Sequence, residues 1–240
     1  MIGGFPTIKP GFVGWCALFG VSQTLSTLAL SKALKLSEIS LVTALWTVSL
    51  LILLALAWVW IGEHPSPRGV AGVLLSAAGV YLLNVKRARV GLWQPLIVLF
   101  TDRGQRYTLL AALFYAPSVI TIKQATLASN ASMGTLGGYL AASLIMTPIV
   151  LRTSATHFVR LPRHWKEFVA LGLFAALTTI SQAKAYTLTL SSYVEAVKQV
   201  EILFAMAIGV FIFGEKQKVR DIAPGAVVML AGVVLLSLAS

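Results

Sequence analysis

Polar residues along this chain fall in short clusters, and nearly uninterrupted apolar runs fill the intervals between them. A bilayer span needs about 20 mostly apolar residues, or somewhat fewer when the flanks snorkel. Runs of that kind lie at 11–31, 38–61, 69–86, 107–127, 133–151, 166–188, 193–213 and 221–239. The pattern predicts an all-α, polytopic membrane protein of about eight transmembrane helices. Most connections are short, so sequential helices are expected to be antiparallel neighbours. Residues 87–106 hold LWQPLIVLF followed by TDRGQR, which reads as an interfacial amphipathic piece and a hydrophilic turn. Residues 152–165, RTSATHFVRLPRHW, read as a basic exposed loop.

Composition agrees with the pattern. The 240 residues are 58% hydrophobic and only 11% charged, against about a quarter charged in soluble domains. The formal charge of +11 could suggest nucleic acid, but Lys and Arg sit in short loops between apolar runs, where they act on membrane orientation. Cys16, the single cysteine, has no intrachain partner, and His64, His157 and His164 lack metal-ligand spacing. There is no nucleophile elbow, phosphate loop or CxxC, and no cleavable signal peptide is expected.

Charge also orients the chain. One face receives Lys32, Lys35, Lys86, Arg87, Arg89, Arg103, Arg106, Arg152, Arg160, Arg163, Lys166, Lys216, Lys218 and Arg220, whereas the other gets little beyond Lys9 and Arg68. The positive-inside rule makes the first face cytoplasmic and leaves both termini outside. Small residues mark tight helix contacts: Gly134, Gly138 and Ala142 in one stripe, Gly72 and Ser76 in another. Pro117, mid-span, frees the carbonyl of Leu113 and is expected to kink its helix.

The chain carries an internal repeat. With residues 32–63 laid over 184–215 without a gap, Lys32, Ala33, Leu36, Ser40, Val42, Ala44, Val48, Leu51, Ala55, Gly62 and Glu63 recur as Lys184, Ala185, Leu188, Ser192, Val194, Ala196, Val200, Leu203, Ala207, Gly214 and Glu215. After one inserted residue, GVAGVLLSAAGVYLL continues over DIAPGAVVMLAGVVLL. The copies lie an odd number of spans apart and so face opposite ways, an arrangement common in secondary transporters. The elements IGEHPSPRGVAGVLLSAAGVYLL and FGEKQKVRDIAPGAVVMLAGVVLL resemble the EamA-type family of the drug/metabolite transporter superfamily. That resemblance implies five-helix repeats, a Gly-Glu pair closing the fourth helix, and a ten-helix carrier of small metabolites that uses no ATP. On this reading 1–89 is a partial, three-helix repeat, 90–106 an interfacial linker, and 107–240 a five-helix repeat. The first copy lacks the first two helices of the usual pattern, as a truncated gene product or an eight-span variant would. The family's usual cytoplasmic termini also run against the charge count.

The chemistry concentrates in EAVKQVE, residues 195–201. A charge at bilayer depth costs at least ~2.5–3.5 kcal/mol on insertion scales, so each needs a reason. At ~100° per residue Glu195, Lys198 and Gln199 share a face, and Glu201 flanks it about 12 Å deep. Lys123 and Lys184 approach from the ends of their own spans, and pairing lowers the cost of burial. Opposite these residues the first copy places Thr43, Trp46, Thr47 and Ser49. The expected substrate-binding set is therefore Glu195, Lys198, Gln199, Glu201, Lys123, Trp46, Thr43 and Thr47, with Trp46 able to stack on the solute. Structural ion pairs that fix helix register remain an alternative. Glu63 and Glu215 suit helix N-termini and read as structural.

These observations predict a secondary carrier of a small polar or amino-acid-like metabolite in the cytoplasmic (inner) membrane, with proton coupling centred on Glu201. Its partners would be that solute and membrane lipid, with no nucleic acid, no cofactor and no catalytic or metal site. The alternative is a non-transporting membrane scaffold or subunit, such as a truncated carrier. A membrane enzyme ranks third, for want of a ligand set or nucleophile motif.

Overall fold

The structure, a computed structural model, describes residues 7–87, 91–93, 97, 101–158, 164–204, 208 and 219–239. Its elements are helices: α1 (Phe12–Leu36), α2 (Ile39–Trp46), α3 (Val48–Ile61), α4 (Pro67–Arg87), α5 (Arg103–Leu127), α6 (Ala131–Phe158), α7 (Trp165–Tyr186), α8 (Ser191–Lys198) and α9 (Val219–Ser237). Six spans are long and apolar enough to cross a membrane: α1, the α2–α3 pair, α4 over Pro67–Val85, α5, α6 over Ala131–Ala155, and α7. The chain is a multi-pass membrane protein. A further apolar segment, Ala223–Ser237 in α9, is shorter. Of the span expected at 193–213, residues 193–204 and 208 are described. Glu215 and residues 88–90, 94–96 and 98–100 of the 87–106 connection lie outside the described residues.

Local chemistry sets the helix ends. Ser66 Oγ accepts the Gly69 N–H at 3.1 Å, and Pro67 opens α4, where its missing N–H costs nothing. Asn130 Oδ1 accepts the Met133 N–H at 2.8 Å to start α6. Asp102 does the same for α5 through the Gly104 N–H, so α5 begins at Arg103, within the stretch expected to be a turn. α3 ends on Gly62 at φ +67°, a left-handed cap suited to glycine. α5 continues through Pro117 to Leu127. α6 runs past the expected end at 151 into the loop assigned to 152–165, with a non-helical Ser154 (φ −145°, ψ 24°) on the way.

The chain divides into two compact units, Met1–Thr24 with Pro117–Leu188, and Leu25–Ala116 with Thr189–Ser240. In the first, the predicted small-residue stripe of α6 meets its neighbours: Gly134 lies against Thr126, Gly138 against Ile122 and Phe19, and Ala142 accepts from Thr24 Oγ1 at 3.5 Å. Phe12, Cys16, Ala125 and Ala128 form its buried cluster. Gly20 of α1 packs on the backbone of Ala141, where a Cβ would stand 2.9 Å from the carbonyl carbon. The gapless register pairs Gly20 with Gly172 of α7, yet nothing lies near Gly172, and α7 is exposed along almost all its length.

In the second unit α4 and α9 touch backbone to backbone. Gly72 meets Gly232 and Leu236, while Gly79 meets Gly225 and Met229. In the register predicted from sequence Gly72 aligns with Gly225 and Gly79 with Gly232, so the two contacts join aligned positions. The segments at 39–61 and 191–204 share a second feature. Helix α2 stops at Thr47 (φ −60°, ψ −21°) and α8 at Gln199 (φ −57°, ψ −17°), aligned positions with nearly the same dihedrals. At each, the chain tightens into three-residue hydrogen bonds: Thr47 N–H to Ala44 O and Leu50 N–H to Thr47 O, then Gln199 N–H to Ala196 O and Ile202 N–H to Gln199 O. A stretch of 3₁₀ bonding inside a span is a recurrent mark of a hinge.

Candidate functional site

Helix α8 is short, and three neighbours fix it. Its apolar side puts Tyr193 and Ala196 against Val73 and Leu236, with the Tyr193 ring directly over Gly69, where any Cβ would collide with the phenol. The Ser76 hydroxyl donates to Ala196 O at 3.2 Å. Its N-terminus is held by Glu63, whose buried carboxylate accepts the Ser191 N–H at 2.9 Å and the Ser191 hydroxyl at 2.6 Å. The expectation that Glu63 serves a helix dipole is met on α8, not on the helix that follows Glu63 in sequence. Glu63→Ala is expected to destabilise the purified protein by about 1–3 kcal/mol, read as a lowered thermal unfolding midpoint in detergent, because two donors lose a charged acceptor.

So positioned, α8 turns Glu195 inward. The residue is almost fully buried at 1% exposure, and the Tyr115 hydroxyl of α5 donates to its Oε2 at 2.7 Å. Lys198, one turn on, places Nζ 3.9 Å from the same oxygen and 3.5 Å from the Tyr115 oxygen. The three groups form a chain in which ammonium donates to phenol and phenol to carboxylate. An acid this deep would cost several kcal/mol unpartnered; the phenol and the ammonium offset that. Trp46 closes the group from α2, its ring 5.0 Å from that of Tyr115 and tilted by 53°. Lys198 keeps 30% of its side chain exposed, so the cluster is open at that end.

The residues expected from sequence distribute unevenly around this cluster. Glu195, Lys198 and Trp46 meet through Tyr115. Gln199 is half-buried at the helix break, and the buried Thr47 hydroxyl donates to Ala44 O at 2.7 Å, marking the matching break. Thr43 donates to Asn84 Oδ1 at 2.8 Å, and Asn84 in turn donates to Val80 O. Glu201 is exposed just past the break, so the acid that is buried and partnered is Glu195. Lys123 is buried and Lys184 exposed, both in the first compact unit. Sequence reasoning missed Tyr115 and Asn84. A tyrosine and an asparagine inside apolar spans each need a hydrogen-bond partner, and that need was the available signal. Tyr115→Phe keeps the ring against Trp46 and removes one donor from a buried carboxylate, for an expected loss of about 1–3 kcal/mol in thermal stability.

Comparison with known proteins bears on the whole chain. No curated protein matches it. A model of the EamA-like transporter family matches residues 1–85 and 103–238, which together take in the α4–α9 contact, both helix breaks and the Glu195 cluster. The chain therefore belongs to the EamA-like transporter family of the drug/metabolite transporter superfamily, whose members are generally transporters.

Proposed function

We propose that this protein is a secondary active transporter of a small polar or amino-acid-like metabolite in the cytoplasmic membrane, and that the Glu195–Tyr115–Lys198 cluster is its solute site. The observation that carries this reading is a buried carboxylate at 1% exposure whose ammonium partner stays reachable, on a helix that breaks directly after that partner. A solute ammonium competes with Lys198 for Glu195, a solute carboxylate takes Lys198 in exchange, and Trp46 covers the apolar part. Interactions exchanged in this way let a zwitterion replace an internal ion pair with little net change in buried charge. The aligned breaks at Thr47 and Gln199 are where the two copies flex. On this reading a coupling proton acts through Glu195, an assignment supported by its burial where Glu201 is exposed.

In proteoliposomes loaded with a mixture of unlabelled amino acids, the wild type is expected to show saturable counterflow of labelled ones. Lys198→Ala raises the half-saturation concentration by about tenfold or more at unchanged protein yield, as expected for a lost charged contact. Equal loss of yield and flux would favour a structural role for the charges. One observation favours a second reading, an obligate subunit: α7 carries Gly172 on an apolar surface that none of the described residues covers, while Gly20, aligned with it in sequence, is packed. Detergent gel filtration separates the two, since flux from a lone chain supports the carrier and stability only with a partner supports the subunit.

A further inference from the structure

The first two turns of α5 build a pocket that plays no part in the Glu195 cluster. Arg103, Arg106, Tyr107 and Leu110 stand at i, i+3, i+4 and i+7, hence on one helix face, and line a cavity of about 450 Å³. Beside it, near the end of α1, Lys32 places Nζ 5.3 Å from the Tyr107 ring centroid, and the Ser37 hydroxyl ties the helices together by donating to Asp102 at 2.6 Å. Asp102 is the acid next to the arginines, and both its oxygens are already engaged, by Ser37 and by the Gly104 N–H. Among the described residues neither Arg103 nor Arg106 has an ion-pair partner. Lys32, Lys35, Arg103 and Arg106 outnumber Asp102 and Glu38 in these adjoining turns.

The pocket is amphipathic along the helix axis. Arg103 opens α5 at the membrane boundary, and Leu110, 40% exposed, lies about 10 Å further into the span. A guanidinium pair above an apolar wall matches a phosphodiester above its acyl chains, and planar arginine binds phosphate oxygens in pairs. A free anion would have no use for Leu110 or for the Tyr107 face. We infer that the Arg103–Arg106 pocket, with Lys32 beside it on the Tyr107 ring, holds the headgroup phosphate of an anionic phospholipid, with an acyl chain along Leu110. Basic pockets between membrane helices on a cytoplasmic face commonly take such headgroups. The site is separate from the proposed solute site and stands whether or not the chain transports.

Native mass spectrometry of the full chain in mild detergent tests this, with phosphatidylglycerol and phosphatidylcholine titrated separately and inorganic phosphate as competitor. Phosphatidylglycerol is expected to be retained over phosphatidylcholine. Its affinity should fall about fivefold for each of Arg103→Gln and Arg106→Gln. Arg152→Gln, which removes an exposed charge from α6, is expected to leave retention unchanged. The single variants carry the test if the double variant fails to survive extraction. Equal retention of both lipids, unchanged binding in the arginine variants, or an equal loss in Arg152→Gln would overturn the inference. Full displacement by inorganic phosphate would do so too, by assigning the pocket to a free anion.

Discussion

Glu195→Gln is expected to abolish solute flux while leaving a folded, extractable protein. Glutamine has nearly the shape of the glutamate and still offers an oxygen to the Tyr115 hydroxyl, so the 2.7 Å contact survives in neutral form. What disappears is the negative charge, and Lys198 is left without its counter-charge. Losing the charged acceptor for a cationic group costs about 1.5–3 kcal/mol, which corresponds to at least about tenfold in affinity. Measured as counterflow alongside thermal unfolding, the variant should lose flux far more than stability. If the pair only fixed helix register, the balance would reverse, with a lowered unfolding midpoint and flux retained by whatever protein stayed folded. Any pH dependence of wild-type flux should be flattened in Glu195→Gln and kept in Glu201→Gln, because the exposed Glu201 is not the acid held in the cluster.

Gly79→Leu is expected to be the most damaging single change outside the site. A Cβ at this position would fall on the backbone nitrogen of Met229 and 2.7 Å from the carbonyl oxygen of Gly225. Backbone atoms cannot turn aside as a flexible side chain can, so α4 and α9 must separate along their whole shared face. Overpacking of an ordinary core costs about 1–3 kcal/mol, and a contact with backbone on both sides sits above that range. The expected result is loss of the monodisperse gel-filtration peak. Gly172→Ala is the control of opposite sign. Nothing lies near that position, so the added methyl meets no neighbour and helix propensity gives a gain of up to about 1 kcal/mol. A Gly79→Leu protein with wild-type stability would mean that the α4–α9 contact is not made.

Much of this was legible from residue spacing. Apolar runs located the spans because a bilayer demands length, and the small-residue stripes at Gly72–Ser76 and Gly134–Ala142 pointed to close helix contacts. The charges of EAVKQVE stood out because membrane burial penalises them. Tyr115 did not stand out, since only tertiary pairing brings α5 to α8 and turns a mid-span tyrosine into a partner for Glu195. The helix breaks were hidden for a different reason. VTALWTVSL and EAVKQVEIL contain neither proline nor glycine, and at Thr47 the side-chain hydroxyl competes for the Ala44 carbonyl in place of a sequence breaker. Conversely Pro117, a strong local signal, sits in a helix that runs on to Leu127. The start of α5 was misplaced because Asp102 looked like part of a polar turn, whereas its carboxylate caps the helix.

The most direct test of the central claim is counterflow of labelled amino acids into proteoliposomes containing the wild-type chain alone, with Glu195→Gln vesicles at matched protein content beside them. The account predicts saturable counterflow in the first and none above protein-free vesicles in the second. Equal flux in both, or no flux in either, would contradict it.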